Sequence, residues 1–210
     1  MSWTIENYDR LLLALWEHIQ LVSVGLAIAL AIGLPLGVLS ARRPGFALVV
    51  LLVSGALYTV PALAIFALLI PYLGLGFWPA IVALVAYALL IIIRNVATGL
   101  REISPDILDA ADGMGYGRWR RLFSIELPLA LPVIIAGIRI TVVTQVSVAT
   151  VAAFINAGGL GDVIFQGITQ DFGEKVVAGA VVTSALAILC DESLRRVELR
   201  LRANQAETAW

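Results

Sequence analysis

The sequence predicts an all-α integral membrane protein of about five transmembrane helices, with the N-terminus outside and the C-terminus inside. Three observations carry this. Hydrophobic residues make up 60% of the 210 and charged residues 14%, against about half and about a quarter in soluble domains. The apolar residues gather into runs near the roughly 20 residues that a bilayer core requires. Basic residues are also one-sided. Arg42, Arg43, Arg101, Arg118, Arg120, Arg121, Arg195, Arg196, Arg200 and Arg202 fall on one side of the five-span layout, and only Arg10 and Lys175 on the other. Positively charged flanks stay in the cytoplasm, so the first side is the inner one.

The elements follow in order along one transmembrane domain, 1–210. Residues 1–18 lack the basic start and cleavage site of a secretory signal. Tyr8, Leu11, Leu12, Leu15 and Ile19 share a face opposite Glu6, Arg10 and Glu17, an amphipathic lead-in. Trp3, Trp16 and His18 are expected at the membrane interface. The first span runs from about Ile19 to Leu39, with Gly25, Gly33, Pro35 and Gly37 allowing close helix approach and a bend. Arg42 to Gly45 is a tight basic turn. The second span, about Phe46 to Ile70, is interrupted at Thr59-Val60-Pro61. After an aromatic turn, Pro71 to Pro79, the third covers about Ala80 to Gly99. The fourth runs from about Leu129 to Asn156. A Gly-rich extracytoplasmic loop, 157–175, holds a short helix around Asp162 to Ile168, and the fifth span is about Val176 to Cys190. A basic cytoplasmic tail, 191–210, follows.

The long polar stretch between the third and fourth spans, 101–128, has its own punctuation. Ser104 suits a helix N-cap, Pro105 the first helical position, and Asp106 and Asp109 lie near the positive end of the helix dipole. Ile107, Ala111 and Met114 then recur at helical spacing, with Leu108 beside them. Gly113, Gly115 and Gly117 supply a stop. A short helix over 104–117 with a small-residue centre, Ala110-Ala111, admits close approach by another surface. The basic-aromatic turn Arg118 to Phe123 leads on to Leu127-Pro128.

Asp109-Ala110-Ala111, three residues, Gly115, nine residues and Ile125-Glu126-Leu127-Pro128 resemble the EAA loop of permeases of type I ATP-binding-cassette importers, with Asp109 in place of the usual Glu. The resemblance implies that this loop is the cytoplasmic coupling helix docking on a separate ATPase subunit, with Asp109, Ala110, Ala111, Gly115, Arg118, Leu127 and Pro128 at the contact. It implies that ATP and Mg are bound by that ATPase and no cofactor by this chain. It also implies a second permease copy or a similar permease, a separate extracytoplasmic solute-binding protein, and the bacterial inner membrane. Further residues resemble osmoprotectant importers, whose solutes are glycine betaine, choline and carnitine. These are Thr59 to Ala64, Leu73 to Gly76, Tyr87 to Leu90, Arg94-Asn95, Thr98-Gly99, Ala149 to Phe154, Ala157 to Gly161 and Asp191. An amino-acid permease, for methionine for example, is the alternative within the class. An ATP-independent channel or secondary transporter is the alternative outside it.

The residues themselves speak to a path. Tyr58, Thr59 and Pro61 sit where a helix breaks at membrane depth, and Thr144, Gln145, Ser147 and Thr150 form a polar stripe on the fourth span. Either they line a route for solute or they hold helices together by hydrogen bonds. Arg94 is placed to snorkel. Arg139 lies deeper, for gating, for a subunit contact, or buried against carbonyls. Several classes drop out. The single cysteine, Cys190, permits no intrachain disulfide, and with one histidine the usual Cys/His metal clusters are missing. Lys175, the one lysine, lies outside any P-loop pattern. No His/Asp/Ser arrangement suggests an enzyme, and the formal charge of −1 gives no reason to expect nucleic acid.

Overall fold

A computed structural model describes residues 2–207, with side chains for 3–203; all its regular elements are helical. A five-residue α1 (Ser2–Glu6) precedes α2 (Tyr8–Arg42). The amphipathic lead-in and the first span are therefore one helix, because nothing between Tyr8 and Arg42 breaks it; Pro35 lies inside without interrupting it. Next come α3 (Pro44–Thr59) and α4 (Ala62–Leu73), which meet at 97°. Pro61 causes the break. It cannot donate a backbone hydrogen bond, and it holds Val60 extended at φ −70°, ψ 129°. The Tyr87 hydroxyl donates to the Val60 carbonyl left at the corner.

The centre of the bundle is α5 (Phe77–Arg101), which packs on α2, α3, α4 and α8. Small residues set the α2–α5 distance: Gly25, Ala29, Gly33 and Gly37 form a buried line at four-residue spacing. A methyl group added at Gly37 would lie 2.5 Å from Val96 Cβ, and one at Gly33 2.7 Å from Ile92 Cγ2. Lipid offers no hydrophobic drive between helices, so this close van der Waals fit is what joins them.

Beyond the polar loop, with its helix α6 (Pro105–Gly113), a single helical rod runs from Arg118 to Ile155. It comprises α7 (Arg118–Arg121), a π turn (Leu122–Glu126), α8 (Leu127–Val151) and a 3-10 turn (Ala152–Ile155). The fourth span thus begins earlier than expected. The short helix expected around Asp162 is α9 (Leu160–Thr169), and α10 (Gly173–Glu207) carries the fifth span and the basic tail in one piece. Among the described residues, four helices are long and apolar enough to cross a membrane, or five with the bent α3–α4 pair as one span.

Two placements correct the expectations. His18 is fully buried rather than interfacial, its Nε2 3.1 Å from the Val146 carbonyl oxygen. Arg139 meets carboxylates from α10 rather than carbonyls: Nε and Nη2 donate to Asp191 at 3.0 and 3.1 Å, and Nη1 to Glu198 at 2.7 Å. Both partners are far along the chain, which local spacing does not disclose. Arg94 is exposed on α5, in keeping with a snorkelling side chain.

Candidate functional site

The polar loop is a built object. Ser104 occupies the N-cap position of α6 and its carbonyl accepts from Ile107 and Leu108, though its hydroxyl makes no cap bond. At the other end, Gly115 at φ +80° receives the chain. Its N–H donates to the Asp112 carbonyl and the Tyr116 N–H to the Ala111 carbonyl, the paired bonds of a Schellman stop. That left-handed conformation favours glycine. The stop read from three glycines therefore rests on Gly115.

The faces of α6 divide sharply. Ala111 is fully buried within the chain, whereas Ile107 and Met114, expected beside it, are 42% and 67% exposed. Asp109 and Ala110 also face outward, so Ala110 rather than Ala111 is the small residue open to an incoming surface. The exposed Trp119 and Phe123 stack with ring centroids 6.3 Å apart and extend the apolar surface of the loop. Arg118 and Pro128 are exposed and Leu127 half-buried.

Glu126, the unspecified position of the Ile-x-Leu-Pro pattern, is a hub that the sequence reading missed. It is buried, accepting from Arg121 Nε at 2.8 Å and from Arg42 at 3.2 Å. Arg121 also reaches Asp112 at the end of α6 at 2.5 Å. The chain Asp112–Arg121–Glu126–Arg42 ties the loop helix to the end of α2, across a separation of 84 residues between its last two members. The charge-assisted bonds are shorter at Arg121, 2.5 and 2.8 Å, than at Arg42, 3.2 Å.

The polar stripe is less uniform. Ser147 is exposed, and the hydroxyls of half-buried Thr144 and Thr150 donate to carbonyls of their own helix, Ile140 at 2.8 Å and Val146 at 3.1 Å. Tyr58, Thr59 and Pro61 are exposed at the α3–α4 corner. There the Thr59 hydroxyl donates to Ala56 at 2.8 Å, and Tyr58 meets Tyr87 edge-on at 5.6 Å. Gln145 departs from the set. It is fully buried, with Nε2 3.4 Å from the Leu84 carbonyl and Oε1 without a hydrogen-bond partner among the described residues. In this conformation it joins α8 to α5, the helix-holding alternative.

Comparisons with known proteins agree with this architecture. The chain is 39% identical to the carnitine transport permease protein OpuCB of Listeria monocytogenes, over 93% of this chain and 90% of that one. It is 38% identical to the osmoprotectant import permease protein OsmW of Salmonella typhimurium, over 96% of each. The choline transport system permease protein OpuBB of Bacillus subtilis is 39% identical over 93% and 90%. Among solved structures, an inward-facing MetNI methionine ABC transporter superposes with a TM-score of 0.84 at 25% identity, covering 92% of this chain and 97% of that one. Residues 33–203 match the family described as binding-protein-dependent transport system inner membrane component. The chain, with its helical bundle and its loop ending at Leu127-Pro128, belongs to that family.

Proposed function

We propose that this chain is the permease subunit of an ATP-driven importer of small osmoprotectants, glycine betaine, choline or carnitine. In this reading it sits in the bacterial inner membrane with two ATPase subunits, a second permease and a separate solute-binding protein. The single observation that carries it is the outward face of α6, Asp109, Ala110, Ile107 and Met114, on a helix closed by Gly115 and braced through Glu126. A short rigid helix of mixed character is suited to seat in a groove of a partner and move as a body. Closure of the ATPases on ATP would carry α6 with it and, through Arg121, Glu126 and Arg42, turn α8 and α2 between inward- and outward-facing arrangements. The chain itself performs no bond chemistry.

The solute class is supported by relatives at 37 to 40% identity whose names specify carnitine, choline, glycine betaine or osmoprotectants. The likeness to the methionine transporter, at 25%, is weaker in sequence. The path residues Tyr58, Thr59, Pro61, Thr144, Ser147 and Thr150 carry no charge, which suits a solute of no or single net charge crossing after release from its receptor. The discriminating experiment is uptake into proteoliposomes holding this chain, its ATPase and its binding protein. Betaine, carnitine or choline should accumulate with ATP and methionine should not; methionine accumulation alone would move the assignment to amino acids.

A further inference from the structure

At the end of the bundle opposite the polar loop, a cavity of about 280 Å³ lies between α1, α2, α9 and α10. Its polar lining is Arg10, Glu17, Asp162, Gln166 and Lys175, with the Trp3 ring in the wall. Lys175 is 5% exposed, yet among the described residues its ammonium has only neutral partners, Gln166 Oε1 at 2.8 Å, Gln170 Oε1 at 3.4 Å and the Trp3 ring at 5.3 Å. Glu17 accepts the Gly159 N–H at 2.9 Å. Among the described residues, none of Arg10, Glu17, Asp162 and Lys175 forms an ion pair with an opposite charge. Like charges instead sit within electrostatic reach of each other, Glu17 with Asp162 and Lys175 with Arg10.

Lys175 is buried, Glu17 and Asp162 are half-buried and Arg10 is exposed, so charges of both signs line one cavity with no ion pair between them among the described residues, and the buried unpaired charge favours a dipolar guest. The carboxylate pair repels an anion and the Arg10–Lys175 pair repels a cation. A molecule carrying both charges complements both ends. The volume, near the lower limit of small-ligand pockets, admits a compact molecule and excludes a nucleotide or peptide. We propose that this cavity binds a small zwitterion, its cationic end at Glu17 and Asp162 and its anionic end at Arg10 and Lys175. It is a site separate from the polar stripe of α8, and it does not depend on which solute is transported.

The test uses the full chain in nanodiscs of phosphatidylglycerol alone, without binding protein, and equilibrium dialysis with radiolabelled glycine betaine and, separately, glycine. Saturable binding is expected, with choline or acetate competing at least tenfold more weakly than either zwitterion. Asp162→Asn and Arg10→Gln, whose side chains make no hydrogen bond among the described residues, should each weaken binding at least fivefold without lowering the melting temperature. A parallel arm adds phosphatidylethanolamine. If a lipid headgroup is the occupant, that lipid will block betaine and glycine and stay bound in native mass spectrometry, and Asp162→Asn will release it. Either source supports a zwitterion site. The proposal is overturned if no zwitterion, soluble or lipid, binds saturably, or if both variants bind as the wild type does. Binding retained while ATP-driven betaine uptake fails would overturn the transport assignment and leave the cavity assigned.

Discussion

Glu126 is where one residue carries most of the consequence. Its carboxylate holds two arginines that otherwise repel each other, and one of them also holds Asp112. Hydrogen bonds to charged groups contribute about 1.5–3 kcal/mol each, and the partly exposed arginines place the loss at the lower end. Glu126→Ala should destabilise the solubilised chain by about 2 kcal/mol, read as a lower melting temperature. It should also raise the ratio of ATP hydrolysed to solute moved. Glycines on α2 behave oppositely to those on α3. Gly37→Ala drives a methyl onto Val96 and should cost about 1–3 kcal/mol. Gly45→Ala, which meets nothing within 4 Å, should be neutral in the same melting assay. The small-residue line of α2, Gly25, Gly33 and Gly37, was visible in the sequence. The partners of His18, Glu126 and Arg139 were not, since each lies 52 or more positions away on another helix, apart from Arg121 beside Glu126.

Among the elements, α6 and α10 make the sharpest predictions. Because α6 ends in a Schellman stop with Gly115 at φ +80°, substitutions there should grade by their tolerance of that conformation. Gly115→Asn should keep coupled uptake, whereas Gly115→Val should fray the helix end and abolish it while the chain still inserts. Equal loss with both would point to side-chain bulk at the partner surface rather than to backbone shape. For α10, Arg139 clasps Asp191 and Glu198 against α8. Arg139→Met removes the link from α8 to Asp191 and Glu198, leaving Glu198 only its pair with Arg202 on its own helix, and should loosen the α8–α10 contact, seen as faster hydrogen exchange in α10. Adding Asp191→Asn and Glu198→Gln should recover part of the protection. The break at Pro61, the short α9 and the loop helix were legible because proline, glycine and capping residues act within a few positions. The continuity of α2 from Tyr8 and of the rod from Arg118 was not, because an amphipathic lead-in and a span share one helical period, and no residue marks the membrane edge.

For the whole molecule, the surfaces divide by character. α5 is enclosed by its neighbours, while α3 and α4 present rows of exposed apolar side chains, including Leu48, Leu52, Leu63 and Leu68, as a membrane-spanning bundle requires of its outer face. Most arginines gather toward the α6 end, and the charged cavity, with Arg10 in its lining, lies at the other. Composition alone disclosed a multi-span membrane protein; the way its helices enclose α5 depends on contacts between distant segments.

Coupling of α6 to an ATPase is tested by ATP-dependent solute accumulation in proteoliposomes holding the chain, its ATPase and its binding protein, run beside the Gly115→Val variant. Accumulation that requires ATP in the wild type and disappears in the variant, with both chains equally inserted, is the expected result. Solute flux at the same rate without ATP, unchanged by the variant, would contradict it.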